Sequence, residues 1–187
     1  MMGKTHVLFA MSCYAPLVMT QAIPASGASI MILMLGALLP DVDHEKSMLG
    51  GIIWPLSIII GKLSPHRGAT HSLLCLSFVG YLALKYLSAD MAIALIVGYG
   101  SHLLGDLFFG KGGCPLWWPF GKKTRLKMAR LTGSVAEMRA RWLLLLWLVA
   151  IVAMTYRLDV AHFLEDSRNK IAHGFSQAQA LQVLNHR

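Results

Sequence analysis

The sequence contains few charged residues for its length. Asp, Glu, Lys and Arg make up 14% of the 187 residues, whereas 56% are hydrophobic. An average soluble domain has about 25% charged residues. A soluble protein of this composition would have too little polar surface to cover its core. The composition therefore predicts a membrane protein and argues against a soluble globular domain.

Cysteines are equally scarce, and their spacing excludes two kinds of site. Cys13, Cys75 and Cys114 are odd in number, lie far apart and form no CxxC pair. This arrangement indicates no disulfide framework and argues against a closed zinc site built on cysteine thiolates.

The hydrophobic residues are grouped in blocks that carry no charge until close to their ends. Blocks of this kind predict transmembrane helices, here about five: residues 5–21, 28–39, 71–87, 90–109 and 142–157. The apolar stretch 49–61, with Pro55 in its middle, is short for a span and fits a re-entrant or interfacial segment. The predicted fold is all-α: a polytopic helical membrane bundle over 1–157, followed by an amphipathic, polar C-terminal tail over 158–187.

The net charge of +8 is concentrated in the segment 111–141, where the one acidic residue is Glu137. The positive-inside rule places such a loop in the cytoplasm. Counting helices outward from it puts the N-terminus in the cytoplasm as well. The basic residues of this loop are Lys111, Lys122, Lys123, Arg125, Lys127, Arg130, Arg139 and Arg141. They are expected to contact membrane lipids, and no nucleic-acid partner is expected.

The first helix has a second interpretation. Lys4, the apolar run and Ala25-Ser26-Gly27 resemble a cleaved signal peptide. An uncleaved helix is favoured, because cleavage would discard His6 and leave another apolar segment directly behind it.

A His/Asp pattern recurs in the first four predicted helices. Thr5-His6 opens the first and Asp41 follows the second, while Thr70-His71 opens the third and Asp106 ends the fourth. Each histidine precedes its aspartate by 35 residues, so the two motifs are related by an offset of 65. We interpret this as a duplicated helical hairpin, 5–41 and 70–106, with all four polar ends on the cytoplasmic face.

The repeated positions and their neighbours form a set of potential metal ligands. His102 and Asp106 are four residues apart and share one face of a helix. Imidazole and carboxylate donors together suit zinc, manganese or ferrous iron. Asp43 and His66 are candidates for a further ligand or a general base, and Arg67, with Lys122 and Lys123, for binding an anionic group. The predicted metal ligands are His6, Asp41, His71, His102 and Asp106.

Structural roles compete with these assignments. A histidine near a helix start is often a capping residue, and Thr70 is positioned as the N-cap of the third helix. Gly98, Gly100 and Gly105 on the fourth helix predict close helix packing. Trp117, with Trp118 and Phe120 after it, is typical of an interfacial anchor.

The motifs resemble the YdjM-like inner-membrane proteins as far as about Phe120. The segments that carry the resemblance are Thr5-His6, 39–44, 66–72 and 101–106, of which His-Arg-Gly-x-Thr-His-Ser is the most specific. The resemblance implies a multi-pass protein of the bacterial inner membrane, a divalent metal and hydrolysis; some members of this family are LexA-regulated.

The sequence thus predicts a membrane-embedded metal-dependent hydrolase with a small molecule or a lipid as substrate, and the basic side chains favour a phosphoester or a lipid headgroup. An ion- or proton-handling protein is a second hypothesis, although the middles of the helices are apolar. A regulatory scaffold with a structural metal is a third.

Overall fold

The computed structural model describes residues 2–63, 68–109, 113–121, 123–124 and 135–185. The regular secondary structure within these ranges is helical, apart from one isolated antiparallel bridge between Cys114 and Thr124. Short 3-10 turns at Leu39–Asp43 and Ala69–His71 precede α3 and α5, respectively. The α-helices are α1 (Gly3–Met19), α2 (Gly27–Leu38), α3 (Met48–Ile52), α4 (Trp54–Leu63), α5 (Leu73–Tyr86), α6 (Ala89–Phe109) and α7 (Val135–Asn185).

Serine side chains cap the N-termini of α2, α3 and α5. Ser26 and Ser29 form a capping box at the start of α2. Ser72 caps α5 by accepting a hydrogen bond from the backbone N–H of Cys75. The N-cap role expected for Thr70 is therefore wrong. Thr70 lies in the preceding 3-10 turn, where its hydroxyl bonds a carboxylate instead.

Helix α6 is the centre of the bundle and contacts α1, α2 and α5. It crosses α2 so closely that two glycines have no space for a side chain. A Cβ on Gly98 would lie 2.3 Å from the Leu33 carbonyl oxygen, and one on Gly36 would lie 2.6 Å from that of Leu95. Gly100 is different, because its nearest neighbour would be a Leu76 methyl at 4.0 Å. The expectation of close packing is met at Gly98 but not at Gly100.

Two helices in the described part of the chain are long and apolar enough to cross a bilayer: Ala89–Phe109 and the Val135–Lys170 portion of α7. Helices α1, α2 and α5 occupy three further predicted positions but have only 17, 12 and 14 residues. The expected number of about five transmembrane helices is therefore not confirmed.

The stretch predicted to be re-entrant or interfacial forms two short helices, α3 and α4, that meet at Ile53. The ten residues of α4 span about 15 Å at 1.5 Å per residue, half of a bilayer core. Ile52, Trp54 and Ile59 on this pair are 77%, 60% and 56% exposed. Helix α4 is therefore too short to cross a membrane by itself, and the pair presents apolar side chains outward.

The chain divides into two compact units, Met1–Leu148 and Val149–Arg187. The first holds α1 to α6 and the beginning of α7. The second is the remainder of α7, which continues through the predicted polar tail to Asn185. Because α7 begins at Val135, Arg139 and Arg141 are helical residues and not part of a loop.

Candidate metal site

The five predicted ligands come from helix ends that meet inside the first unit. His6 lies in the first turn of α1, and Asp41 and His71 lie in the two 3-10 turns. His102 and Asp106 are one turn apart near the end of α6. The side chains of all except Asp41 are completely buried, and that of Asp41 is 19% exposed. The structure therefore brings together five positions that span a hundred residues of sequence.

The histidine of each hairpin lies beside the aspartate of the other. His6 Nε2 is 3.4 Å from Asp106 Oδ1, and His71 Nε2 is 3.4 Å from Asp41 Oδ1. His71 Nε2 is also 3.7 Å from Asp106 Oδ2, and His102 Nε2 is 3.6 Å from Asp41 Oδ1. These contacts converge on one small volume from both hairpins.

One hydrogen bond fixes the orientation of His102. Its Nδ1 lies 2.7 Å from the carbonyl oxygen of Ala37, so Nδ1 carries the proton and donates it. Nε2 then has the lone pair and faces the cluster, where it forms no hydrogen bond with any described residue. The His6 ring stacks on the His102 ring at a centroid distance of 3.7 Å. An imidazole nitrogen held in this way is prepared to bind a cation.

The His71 ring is oriented through a hydroxyl group. Thr70 Oγ1 donates to Asp43 Oδ2 at 3.0 Å and lies 3.1 Å from His71 Nδ1. A threonine hydroxyl has one proton. When it donates that proton to Asp43, it accepts a hydrogen bond from Nδ1–H. The lone pair of His71 then resides on Nε2, on the side of Asp41 and Asp106.

The electrostatics of the cluster favour a cation. Burial raises the pKa of Asp41, whereas a hydrogen bond from His71 and the positive charge of the imidazoles, when these are protonated, hold that pKa well below the ordinary range of an aspartate. With the imidazoles neutral, a bound cation would supply that positive charge. Two carboxylates in a buried site are costly unless a positive charge compensates them. Two groups of side chains could hold a metal ion, with their ligand atoms within 4.8 Å of one another: His6, Asp41 and His102, and His71, His102 and Asp106.

The described candidates for acid–base and anion-binding roles lie outside the cluster of predicted ligands. Asp43 is buried behind His71, with Oδ2 4.0 Å from Nδ1, on the side away from the cluster. His66 and Arg67 lie outside the described residues, as does Lys122. Lys123 is described and exposed. Of the two described residues proposed for acid–base or anion-binding roles, Asp43 and Lys123, Asp43 lies next to a predicted ligand.

Two side chains that the sequence did not single out as site residues contact the start of α1. Glu137 Oε1 accepts a hydrogen bond of 2.7 Å from the backbone N–H of Met2. Arg141 Nε donates to Thr5 Oγ1 at 3.3 Å. The first turns of α7 therefore hold the start of α1, which carries His6. The isolated acid in a basic segment was the one available signal, since contacts across about 135 positions leave no local pattern.

Comparison with known proteins assigns the chain to a family. The family model of the YdjM inner membrane protein matches residues 1–163. The chain belongs to the YdjM family. The family match extends well past Phe120, where the sequence motifs end, and into α7. Membership places the chain among proteins of the bacterial inner membrane.

Two similar proteins each align with about two thirds or more of this chain. The inner membrane protein YdjM of Escherichia coli (strain K12) is 34% identical over 137 residues, covering 67% of this chain and 69% of the relative. The uncharacterized protein YvsG of Bacillus subtilis (strain 168) is 32% identical over 147 residues, covering 73% and 85%. No solved structure matches the chain significantly.

Proposed function

We propose that this chain is a membrane-embedded metal-dependent hydrolase whose site faces the cytoplasm. The observation that carries the proposal is the buried cluster of three imidazoles and two carboxylates, drawn from both halves of a YdjM-family protein. Such a donor set has little structural value without a cation, since it concentrates negative charge in a site shielded from water.

The ligands proposed for the ion are His6, Asp41, His71, His102 and Asp106. Imidazole and carboxylate donors suit zinc or manganese. A divalent ion of this kind supplies Lewis acidity, polarising a phosphoryl or carbonyl oxygen and activating water as the nucleophile. Asp41 is the partly exposed member of the five, so we propose that substrate approaches from its side.

The remaining residues have supporting roles in this proposal. Asp43 acts as a positioning residue, because it holds Thr70, which in turn orients His71. His66 is proposed as a general base or a further ligand, and Arg67 as the group that binds an anionic substrate. A phosphoester or a lipid headgroup is the favoured substrate, since the site lies at helix ends of an inner membrane protein and close to a basic segment.

Metal analysis of detergent-purified protein tests this proposal. We expect about one transition-metal ion per wild-type chain and a large loss of metal in His71→Ala and Asp106→Ala, since each removes a ligand and metal binding is coupled to the folded site. His162→Ala and Asp159→Ala are matched controls, because both side chains are exposed on α7. They should retain wild-type metal content.

Wild-type protein without stoichiometric metal would contradict the proposal. If metal is present, release of phosphate from a panel of phosphoesters and phospholipids measures the hydrolase activity. Metal-loaded protein that hydrolyses none of them but moves protons or divalent ions in proteoliposomes would instead favour the ion-handling alternative. A protein that does neither would favour the scaffold with a structural metal.

A further inference from the structure

His6 differs from the other two histidines of the cluster in how its ring is held. His71 and His102 are each oriented through Nδ1, by the Thr70 hydroxyl and by the Ala37 carbonyl, respectively. The His6 side chain is completely buried, yet neither of its ring nitrogens forms a hydrogen bond with any described residue. Stacking on the His102 ring restricts the plane of the His6 ring but does not select a nitrogen. The placement of His6 therefore depends on the helix that carries it.

Helix α1 begins without a cap of its own. Its N-cap residue is Met2, whose side chain forms no capping hydrogen bond, and its first turn contains no acidic residue. His6 belongs to this first turn, because the helix begins at Gly3. A helix end that lacks a cap leaves backbone N–H groups unsatisfied and opens at almost no cost in free energy. A contact that holds this turn closed therefore also holds His6 in the cluster.

Two side chains of α7 supply contacts at this helix start. Glu137 Oε1 accepts a hydrogen bond of 2.7 Å from the Met2 backbone N–H, and Arg141 Nε donates to Thr5 Oγ1 at 3.3 Å. In a capping box, the side chain three residues after the N-cap accepts from the N-cap N–H. That residue is Thr5 here, and α7 provides the acceptor in its place. Glu137 and Arg141 are four residues apart on one face of α7, and we call this pair the α7 clamp.

The burial of Glu137 shows that the clamp is a specific contact. Glu137 is completely buried, whereas Met138 and Trp142 beside it on α7 are 50% and 62% exposed. Removing a carboxylate from water is costly unless hydrogen bonds or positive charge compensate it. A backbone N–H at a helix N-terminus provides such compensation, because that end of a helix carries a partial positive charge. The carboxylate therefore attaches the first turn of α7 to the start of α1.

A metal ligand at the position of His6 has to be placed accurately. Metal–ligand distances are held to about 0.2 Å. His6 directly follows Thr5, and its Nε2 lies 3.4 Å from Oδ1 of Asp106, a ligand on α6. Opening of the first turn of α1 would displace the imidazole by more than this tolerance. The ligands on α6 and on the two 3-10 turns would stay in place, because they belong to other elements.

We propose that the α7 clamp positions His6 as a conditional metal ligand, so that the attachment of α7 regulates the metal cluster. Glu137 is a positioning residue in this arrangement, since it acts on the site through α1. With the clamp closed, His6 completes the set of five ligands; with the clamp open, four remain. Because coupling between two sites is reciprocal, metal binding should in turn hold the clamp closed. The inference deepens the proposed function by naming its regulation, and its metal-binding part rests on that function.

Chemical modification of histidines in metal-free, detergent-purified protein tests the clamp without the metal. Diethyl pyrocarbonate modifies accessible imidazoles, and mass spectrometry of peptides gives the rate at each histidine. We expect Glu137→Ala to raise the rate at His6 by about tenfold, the equivalent of one lost helix cap. His71 and His102 should stay protected, because the hydrogen bonds that orient them do not involve α1. An equal rise at all three histidines would indicate general loosening of the bundle and would contradict the proposal.

Two controls accompany this measurement. The exposed His44 is an internal reference for the reagent. Glu165→Ala removes an exposed glutamate of the same helix and should leave His6 protected. An unchanged rate at His6 in Glu137→Ala would overturn the proposal, whatever the metal content of the protein.

Pulsed electron paramagnetic resonance of the copper-loaded protein measures the consequence for the ligand set. Copper(II) binds imidazole sites tightly, and the spectra count the coordinated imidazoles. We expect three in the wild type and two in Glu137→Ala, the same number as in His6→Ala. Copper affinity should fall by about tenfold in Glu137→Ala. In a His6→Ala background, the same substitution should change it by less than about twofold, since the clamp acts through His6. Three coordinated imidazoles in Glu137→Ala, or an equal loss of affinity in both backgrounds, would refute the proposal.

Two milder variants keep the test available if Glu137→Ala does not fold. Arg141→Ala removes the second contact of the clamp, and Glu137→Gln keeps an acceptor oxygen but weakens its hydrogen bond. Each should give an intermediate rise in the modification of His6. The two proposals also fail separately. Wild-type protein that binds no metal would remove the hydrolase, whereas metal-binding protein in which all three clamp variants leave His6 protected would remove the clamp.

Discussion

At the scale of single residues, the Thr70 hydroxyl connects a carboxylate to an imidazole. It donates to Asp43 and accepts from His71, and so determines which His71 nitrogen faces the cluster. His102 achieves the same result through the Ala37 carbonyl. Two of the three histidines are thus oriented by groups that are not themselves ligands, which is the usual arrangement around metal-binding imidazoles.

Removing the Thr70 hydroxyl should weaken metal binding without removing a ligand. We expect Thr70→Val to lower metal affinity by about 10- to 100-fold, because His71 loses the group that fixes its tautomer and orientation. Competition with a chelator of known affinity measures the change. Thr70→Ser should restore most of the affinity, since it retains the hydroxyl.

A suitable control for this substitution is Thr155→Val on α7, where the hydroxyl bonds the Ile151 carbonyl of its own helix. Unchanged metal affinity in Thr70→Val would show that the orientation of His71 does not depend on this hydroxyl.

At the scale of secondary-structure elements, the crossing of α2 and α6 determines whether the ligands meet. His102 and Asp106 are on α6, and Asp41 directly follows α2. The close approach at Gly36 and Gly98 brings these two helices into contact just before their ligand-bearing ends. Packing of this kind depends on small residues, because lipid offers no hydrophobic driving force for helix association.

A paired substitution on α6 tests this dependence. Gly98→Ala should destabilise the folded protein by about 1–3 kcal/mol, because the new methyl would press on the backbone of α2. Gly100→Ala should be neutral or stabilising by up to ~1 kcal/mol, since space is available and alanine favours a helix. Thermal unfolding in detergent gives both values. Equal effects of the two substitutions would contradict the close crossing.

At the scale of the whole molecule, the contacts favour a duplicated hairpin. At the offset of 65, Leu33 is equivalent to Gly98 and Ala37 is equivalent to His102, and each residue contacts its own counterpart. Equivalent residues meet in this way when two copies of a unit are related by a twofold rotation. A twofold relation of this kind would also pair the histidine of each hairpin with the aspartate of the other, as observed. The duplication itself stays a prediction.

Membrane orientation is the matching prediction for the whole chain. A reporter inserted within 121–141 should show a cytoplasmic signal, because the basic residues of that segment oppose translocation. A fusion at the C-terminus serves as the comparison and should report the opposite face if α7 crosses the membrane through Val135–Lys170. A periplasmic signal from the 121–141 insertion would reverse the proposed topology and place the cluster outside.

The sequence by itself determined the class of protein, most helix positions and the five residues of the cluster. Hydropathy and charge can be evaluated from neighbouring residues in the sequence. The 35-residue His–Asp spacing, which occurs twice, is also visible without coordinates. Thr70 shows the limit of such reasoning. A threonine beside a helix start favours an N-cap locally, but a buried carboxylate 27 residues away provides the stronger partner.

Only the tertiary structure decided which atoms face each other. The exchange of His/Asp partners, the His102–Ala37 bond and the contacts of Glu137 and Arg141 with α1 all join residues distant in sequence. Helix crossing sets these distances, and the crossing depends on where backbone can approach backbone. The sequence has few charged residues, so the properties of the site depend on which of them the tertiary structure brings into contact.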